Sequence, residues 1–432
     1  MKGQSRREFL TTCIRSTALA ALGGQRLAGA TAPGRSAVSL SDASGSQLRP
    51  APADEFLGVQ THFGQFRSGS EGIFDLIRRA GISWVRDEIY WEKIENRKGV
   101  FDFPPAYDDY VKIARKQNLR LLLILDFGNP LYMAGGKIGP ATDEERAAFG
   151  RYCGAAVRRY KSMGVRHYEI WNEPNASTFW QPKPNPKDYA KLLETAYQAC
   201  KEADPGCTVL GCSTSGTDLA FIEQVFASGG EKFMDAVSFH PYDYPKAPET
   251  YILQGIAALR KIVGEKPLWI TEIGYPTHVG SSGVSEEQQA NLLVRTVLLA
   301  RSAPTVRRLF WYDFQNDGTD PADNESNFGL IRKDQTAKPA YAAVRTMSSL
   351  LMERPFVELR NDGVLYQCKF GDGADEVIAL WTLGEPVQAD IPVTGKRFRI
   401  IERDGEAQTV EARDSSLKIV ASGKVRYVVP AD

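Results

Sequence analysis

The stretch LRLLLILDFGNPLYMAGGKIGPATDEERAAFGRYCGAAVRRYKSMGVRHYEIWNE, residues 119 to 173, reads as a strand, a helix and a second strand. Its first nine residues, LRLLLILDF, form an almost unbroken apolar run that stops at an aspartate and a ring. Its last seven, HYEIWNE, end in Asn172 and Glu173. Between them, EERAAFGRYCGAAVRRYKS spaces its apolar residues by three and four, after Thr142 and Glu145 in a capping-box pattern and before Gly164. A strand that is apolar without alternation is buried on both faces, which calls for a parallel sheet covered by helices.

The same unit recurs. Strands are predicted over 56–63, 82–89, 119–127, 167–173, 208–214, 236–242, 267–273 and 307–314, eight in all, with amphipathic segments such as DYAKLLETAYQACKEA and EQQANLLVRTVLLARS between them. Ser285 with Gln288 repeats the capping box, Asn185-Pro186 reads as an N-cap followed by proline, and Gly81 and Gly264 stop helices as Gly164 does. Eight strand-helix units with right-handed crossovers give an α/β fold, a closed (β/α)8 TIM barrel. The rival, an open doubly wound sheet, normally carries a GxGxxG turn, and the sequence has none. Beyond residue 354 the helical period ends and short alternating runs such as VLYQCKF, EVIALWT and RFRIIER predict a small C-terminal β-sandwich-like domain. It reads as a structural appendage, with a sugar contact at Trp381 as the alternative. The expected organisation is thus 1–30, 31–54, a barrel over 55–353 and a β domain over 354–432.

The N-terminal piece has its own signature. In SRREFLTTCIRSTALAALGG, paired Arg6 and Arg7 precede Phe9, Leu10 and an alanine-rich stretch that runs to Ala28-Gly29-Ala30, as in a twin-arginine export signal. An unstructured basic tail is the alternative, since Arg15 interrupts the apolar run. The stretch is too short and polar to span a membrane, and no later one qualifies. Residues 31–54, rich in Ser, Ala, Gly and Pro, read as a flexible leader. Export to the periplasm or beyond is expected, with the twin-arginine machinery as the partner in transit.

Lysine and arginine together number 53 and so do aspartate and glutamate, so no basic excess is present to neutralise a phosphate backbone, and nucleic acid is not an expected partner. Cysteines at 13, 153, 200, 207, 212 and 368 contain no CxxC pair and no nearby histidine set, which argues against zinc. They read as small apolar core residues, with a disulfide from Cys200 to Cys207 or Cys212 left open.

In a barrel the carboxyl ends of the strands line the mouth. In order they offer His62, then Arg86 and Asp87, then Asp126, Asn172 and Glu173, His240 and Tyr242, Glu272, and finally Trp311, Tyr312 and Asp313. Two carboxylates on different strands at one face suit glycosidic cleavage, one to protonate the departing oxygen and one to meet the anomeric carbon. Glu173 and Glu272 fit. A lone glutamate after a strand is more often a helix N-cap neighbour or a solvated loop residue, but here each follows a buried β run, Ile170-Trp171 or Trp269-Ile270. Which is acid and which is nucleophile is left open by these residues alone.

EIWNEPN, followed about a hundred residues later by WITEIGYPT, resembles clan A of the glycoside hydrolases. The resemblance covers roughly residues 55 to 350 and implies retaining hydrolysis of a carbohydrate substrate without cofactor or metal. It implies that Glu173 is the general acid/base and Glu272 the nucleophile, and that Asn172 bonds the sugar 2-hydroxyl. Arg86 would orient the nucleophile and Tyr242 touch it, with His240 beside the sugar. Trp311 would be the platform under the reacting ring. His62 is read as a further substrate contact from its place at the end of the first strand. Within the clan, WVRDEIYWEKIE, ILDFGNPLY, HPY, GYPT and FGLIRKDQTAKPAYAA resemble family 39 and its relatives linked to bacterial exopolysaccharide, with family 5 left open by IGYPT.

Rings at Phe127, Tyr132, Trp180, Tyr244, Tyr275 and Tyr312 fall in loops beside the strand ends. Singly each is more often packing, but as a group they suit an extended sugar groove and internal cleavage. DFQNDGTDPADNE, 313–325, fails the calcium-loop pattern at Gln315 and Asn324 and reads as a solvated acidic loop. The alternatives to an endo-acting hydrolase are an exo-acting β-xylosidase-like enzyme and a non-catalytic sugar-binding barrel.

Overall fold

The computed structural model describes residues 55–62, 71–133 and 139–431. The signal-like segment and the leader lie outside the described residues, as does Phe63.

Eight parallel strands close on themselves: β1 (Leu57–Gln60), β2 (Trp84–Tyr90), β3 (Arg120–Asp126), β4 (His167–Ile170), β5 (Thr208–Ser215), β6 (Ala236–His240), β7 (Leu268–Ile273) and β8 (Val306–Trp311). Closure comes where β1 pairs with β8, Leu57 beside Leu309 and Val59 beside Trp311. The eight are the predicted ones, because runs such as RLLLILD in β3 are buried along nearly their whole length and only a helix-covered parallel sheet hides both faces. Local signals act where expected. Thr142 and Ser285 each complete a capping box, and Asn185 accepts from the amides of Lys187 and Asp188 ahead of helix Pro186–Ala203. The five cysteines of the described residues are free and buried.

Inside the barrel, period two stacks side chains in layers. The floor is apolar: Trp84, Leu122, Leu210, Ala236, Trp269 and Phe310 form one cluster. Gly58 of β1 makes room for it, since a Cβ there would lie 2.4 Å from the Phe310 ring. One layer up, toward the carboxyl ends, the interior turns polar with Gln60, Arg86 and Glu169, all 0% exposed. Buried charge is thus placed directly beneath the mouth.

Helix Pro339–Leu351 ends the barrel and β9 (Phe356–Asn361) begins an antiparallel domain. Its six-stranded sheet runs β14 (Ala407–Glu411), β13 (Arg397–Glu402), β16 (Arg426–Pro430), β11 (Val377–Thr382), β10 (Leu365–Phe370) and β9, and β12 (Val387–Pro392) pairs with β15 (Ser416–Ala421) as a second layer. β11 is buried on both faces. Its Ile378 and Leu380 meet Ile391 and Ile419 of the small layer, and its Val377, Ala379 and Trp381 join the core shared with the barrel. Trp381 is 0% exposed, stacks on Tyr366 and donates to Glu249 Oε1 at 2.7 Å, where Arg295 also binds, so it packs the domain onto the barrel and is no surface for sugar. β14 escapes sequence reading because it is an exposed edge strand with a single partly buried valine.

Candidate active site

The end of β4 explains the EIWNEP sequence. After Ile170 the backbone enters the left-handed region at Trp171 (φ 70°) and again at Glu173 (φ 48°), conformations that cost non-glycine residues of order 1–3 kcal/mol. The double turn swings the Trp171 ring outward, where its Nε1 donates to Phe179 O at 3.2 Å, and sends Asn172 and Glu173 inward. Ser213 O accepts the Glu173 amide at 2.9 Å, and the Tyr189 hydroxyl bridges Ile170 O and the Cys212 amide, so two neighbouring elements hold the turn. Pro174 carries no N–H, which spares the turn one donor. β7 reaches the same place by an irregular register between Ile270 and Ile273, which lets Thr271 and Glu272 both take part in the pocket.

Arg86 organises the floor of this pocket. Its Nη1 donates to Glu272 Oε1 at 2.6 Å and to Gln60 Oε1 at 2.7 Å, its Nε to Glu169 Oε2 at 2.7 Å, and its Nη2 to Asn172 Oδ1 at 3.2 Å. Burial alone would lower its pKa, but Glu169 and Glu272 outweigh burial and hold it above the ordinary arginine value. The second Glu272 oxygen accepts from the Tyr242 hydroxyl at 3.1 Å. Burial, then the charge of Glu272, pushes that hydroxyl far up, so it stays a donor. His240 stands between the acids, its Nδ1 3.0 Å from Glu173 Oε1 and 3.8 Å from Glu272 Oε2, while its Nε2 meets Thr271 Oγ1 at 3.1 Å. One carboxylate oxygen from each glutamate and a His240 nitrogen all lie within 4.8 Å of one another.

Because Arg86 fixes Asn172 Oδ1 as acceptor, the amide nitrogen is defined too. That Nδ2 is buried with no protein partner among the described residues. An unmet buried donor costs about 1–3 kcal/mol, which a ligand hydroxyl in the pocket would recover.

Across the mouth, His62 Nδ1 lies 2.9 Å from Asp317 Oδ1 and 3.8 Å from Asp313 Oδ2. Burial, then the charge of Asp317, raises the Asp313 pKa well above the carboxylate range. The expected solvated loop over 313–325 is corrected here. Asp313 is buried, Asp317 is half-buried, and only residues 319–322 are exposed, because β8 delivers the loop's first residues onto His62 before it turns outward. His62 with Asp313 and Asp317, and Glu173 with His240 and Glu272, are the two groups with metal-ligand chemistry among the described residues. In each, the histidine nitrogen already sits at hydrogen-bond distance from a carboxylate.

The structure thus gathers Arg86, Asn172, Glu173, His240, Tyr242 and Glu272 into one pocket, with His62 across the mouth. Trp311 is a correction. It follows Leu309 in pointing outward and stacks on Tyr275 between barrel and helices, whereas Tyr312 follows Phe310 inward and packs edge-on against His62, Tyr242 and Phe328. Of the loop rings, Trp180 and Tyr275 are core residues, and Phe127, Tyr132 and Tyr244 keep partial exposure. Sequence reasoning missed Gln60 and Glu169. The available signal was a polar residue in mid-strand where every neighbour is buried.

A family model described as the glycosyl hydrolase catalytic core matches residues 150–339, which hold both glutamates. Among solved structures, a family 39 glycoside hydrolase from the gut symbiont Bacteroides cellulosilyticus is 29% identical with a TM-score of 0.76, covering 88% of this chain and 82% of its own. The chain is thus similar in sequence and fold to a family 39 glycoside hydrolase over most of its length. A β-xylosidase of Geobacillus stearothermophilus is 26% identical over 275 residues, 55% of this chain and 53% of that one, so the chain spans about half the length of that relative. A monomeric β-xylosidase of Caulobacter crescentus, 16% identical with a TM-score of 0.65 over 88% of this chain and 96% of its own, shares the fold.

Proposed function

We propose that this protein is a retaining glycosidase that cleaves O-glycosidic bonds of a β-linked poly- or oligosaccharide by double displacement. The observation that carries the reading is the approach of Glu173 and Glu272 oxygens to within 4.8 Å across the pocket. Retaining enzymes hold their carboxyl groups about 5–5.5 Å apart, whereas inverting ones leave room for water at about 6.5–9.5 Å.

Glu272, with one oxygen held by Arg86 and the other by Tyr242, attacks the anomeric carbon while Glu173 gives its proton to the leaving oxygen. The carbon–oxygen bond to the leaving group breaks as an ester to Glu272 forms. Glu173, now a carboxylate, takes a proton from water, which attacks the same carbon and releases Glu272. Two inversions give net retention. His240 on Glu173 and the Asn172 amide toward a ring hydroxyl support the same assignment.

Internal cleavage of an exopolysaccharide is the reading supported by the partly exposed Phe127, Tyr132 and Tyr244. The β-xylosidase likeness favours the second reading, exo-action. Product sizing separates them, since monosaccharide alone would defeat the endo reading. The Arg6-Arg7 segment supports export, and lysine at both positions is expected to retain the protein in the cytoplasm. The chemistry is tested by incubation with 2-deoxy-2-fluoro-β-glycosyl fluorides and peptide mass mapping. An adduct on Glu272 is expected, and an adduct confined to any other residue overturns the assignment.

A further inference from the structure

The pocket contains a carboxylate for which the double displacement has no step. Glu169 sits on β4, fully buried in the barrel interior, and accepts from Arg86 Nε at 2.7 Å. The same guanidinium donates to Glu272 at 2.6 Å, so a single buried cation lies between two buried carboxylates. If Arg86 served only to orient and neutralise Glu272, one carboxylate would suffice, and a second buried anion adds a desolvation cost that an apolar side chain would avoid. Resting on the reading of Glu272 as nucleophile, we propose that Glu169 is a positioning residue that divides the charge of Arg86 and thereby keeps Glu272 basic enough to attack.

Two physical effects follow from the geometry. First, the bond at Nε fixes the guanidinium plane, so that Nη1 faces Glu272 and Nη2 faces Asn172 in one orientation. Second, a negative charge on the far side of Arg86 weakens its pull on Glu272. A carboxylate with a cation to itself is a weaker base and a weaker nucleophile, whereas one that shares the cation retains more of its basicity. Tyr242 and His240 from the β6 end and Glu173 from the β4 end also face Glu272. Glu169 reaches the reaction through Arg86, which it binds directly.

The test uses the whole chain and no substrate. Protein carrying 13C at the glutamate carboxyl is titrated by NMR, with the Glu272 resonance assigned by its loss in Glu272→Gln. In Glu169→Gln the midpoint of Glu272 is expected to fall by about one pH unit or more. Glu169→Asp keeps the charge but withdraws it from Nε by about 1.5 Å, one carbon–carbon bond, and is expected to move the midpoint the same way by less than half as much. A purely structural Glu169 would lower the melting temperature and leave the midpoint in place. A Glu272 midpoint unchanged within about 0.3 unit in Glu169→Gln, with cooperative unfolding retained, overturns the proposal. Failure of the fluoroglycoside to label Glu272, with the midpoint shift intact, would instead sink the glycosidase reading and leave this electrostatic one standing.

Discussion

The floor and the mouth of the barrel are built from the same strands, two residues apart, and yet they are opposites. On β2 the floor takes Trp84 and the mouth Arg86; on β8 the floor takes Phe310 and the mouth Tyr312. The floor is a stack of rings, with Trp269 at 5.6 Å from Trp84 and 6.2 Å from Phe310 between ring centres, and His167 and Arg308 at its lower edge. The mouth is equally buried but charged, with left-handed residues, an unmet amide and two carboxylates on one arginine. Burial in the first case stabilises the fold. In the second it stiffens charges that water would otherwise screen, which is useful to chemistry and costly to stability.

That contrast can be broken by substitution at either level. The largest effect is expected at the mouth, where Glu272→Ala should lower kcat/KM by about four orders of magnitude or more with little change in melting temperature, as read by aryl β-glycoside hydrolysis. Next is the floor: Trp269→Ala should cost about 3–5 kcal/mol in denaturant unfolding while the folded fraction keeps most of its activity. Asn172→Ala, which removes the donor reserved for a ring hydroxyl, should reduce kcat by about 10²-fold and leave KM nearly as it was.

The floor also carries a pH signature. Burial, then the charges of Arg308 and Arg120, pushes His167 down to about 4. The unfolded chain therefore takes up a proton near its ordinary value of about 6.5 before the folded one does, so stability is full above that pH and is lost as pH falls from there toward 4. His167→Gln should flatten this slope, worth roughly 2 kcal/mol between pH 7 and pH 5 in urea unfolding. The smallest effect belongs to the join with the β domain, where Trp381→Phe removes the bond to Glu249 and should cost about 1 kcal/mol.

Much of the barrel was legible in the sequence because apolar continuity and helical period agree at each strand-helix unit, with caps at several, so eight units stand out along the chain. The two glutamates were legible because each ends such a run. What remained hidden depended on single-residue geometry. Trp311 and Tyr312 exchange roles because one step along a strand reverses the face. Trp171 points out and Asn172 in because the backbone turns left-handed, which no period announces. Asp313 looks like a loop residue until His62, from the far end of the barrel sequence, is placed beside it. Glu169 was passed over for a related reason, since its partner Arg86 lies on β2, on the far side of β3.

The approach of Glu173 to Glu272 is most directly examined by the configuration of the first-formed sugar. Proton NMR of an aryl β-glycoside hydrolysis, recorded before mutarotation, should show the β-anomer appearing first; an α-anomer appearing first would require water between the two acids and would contradict the geometry described here.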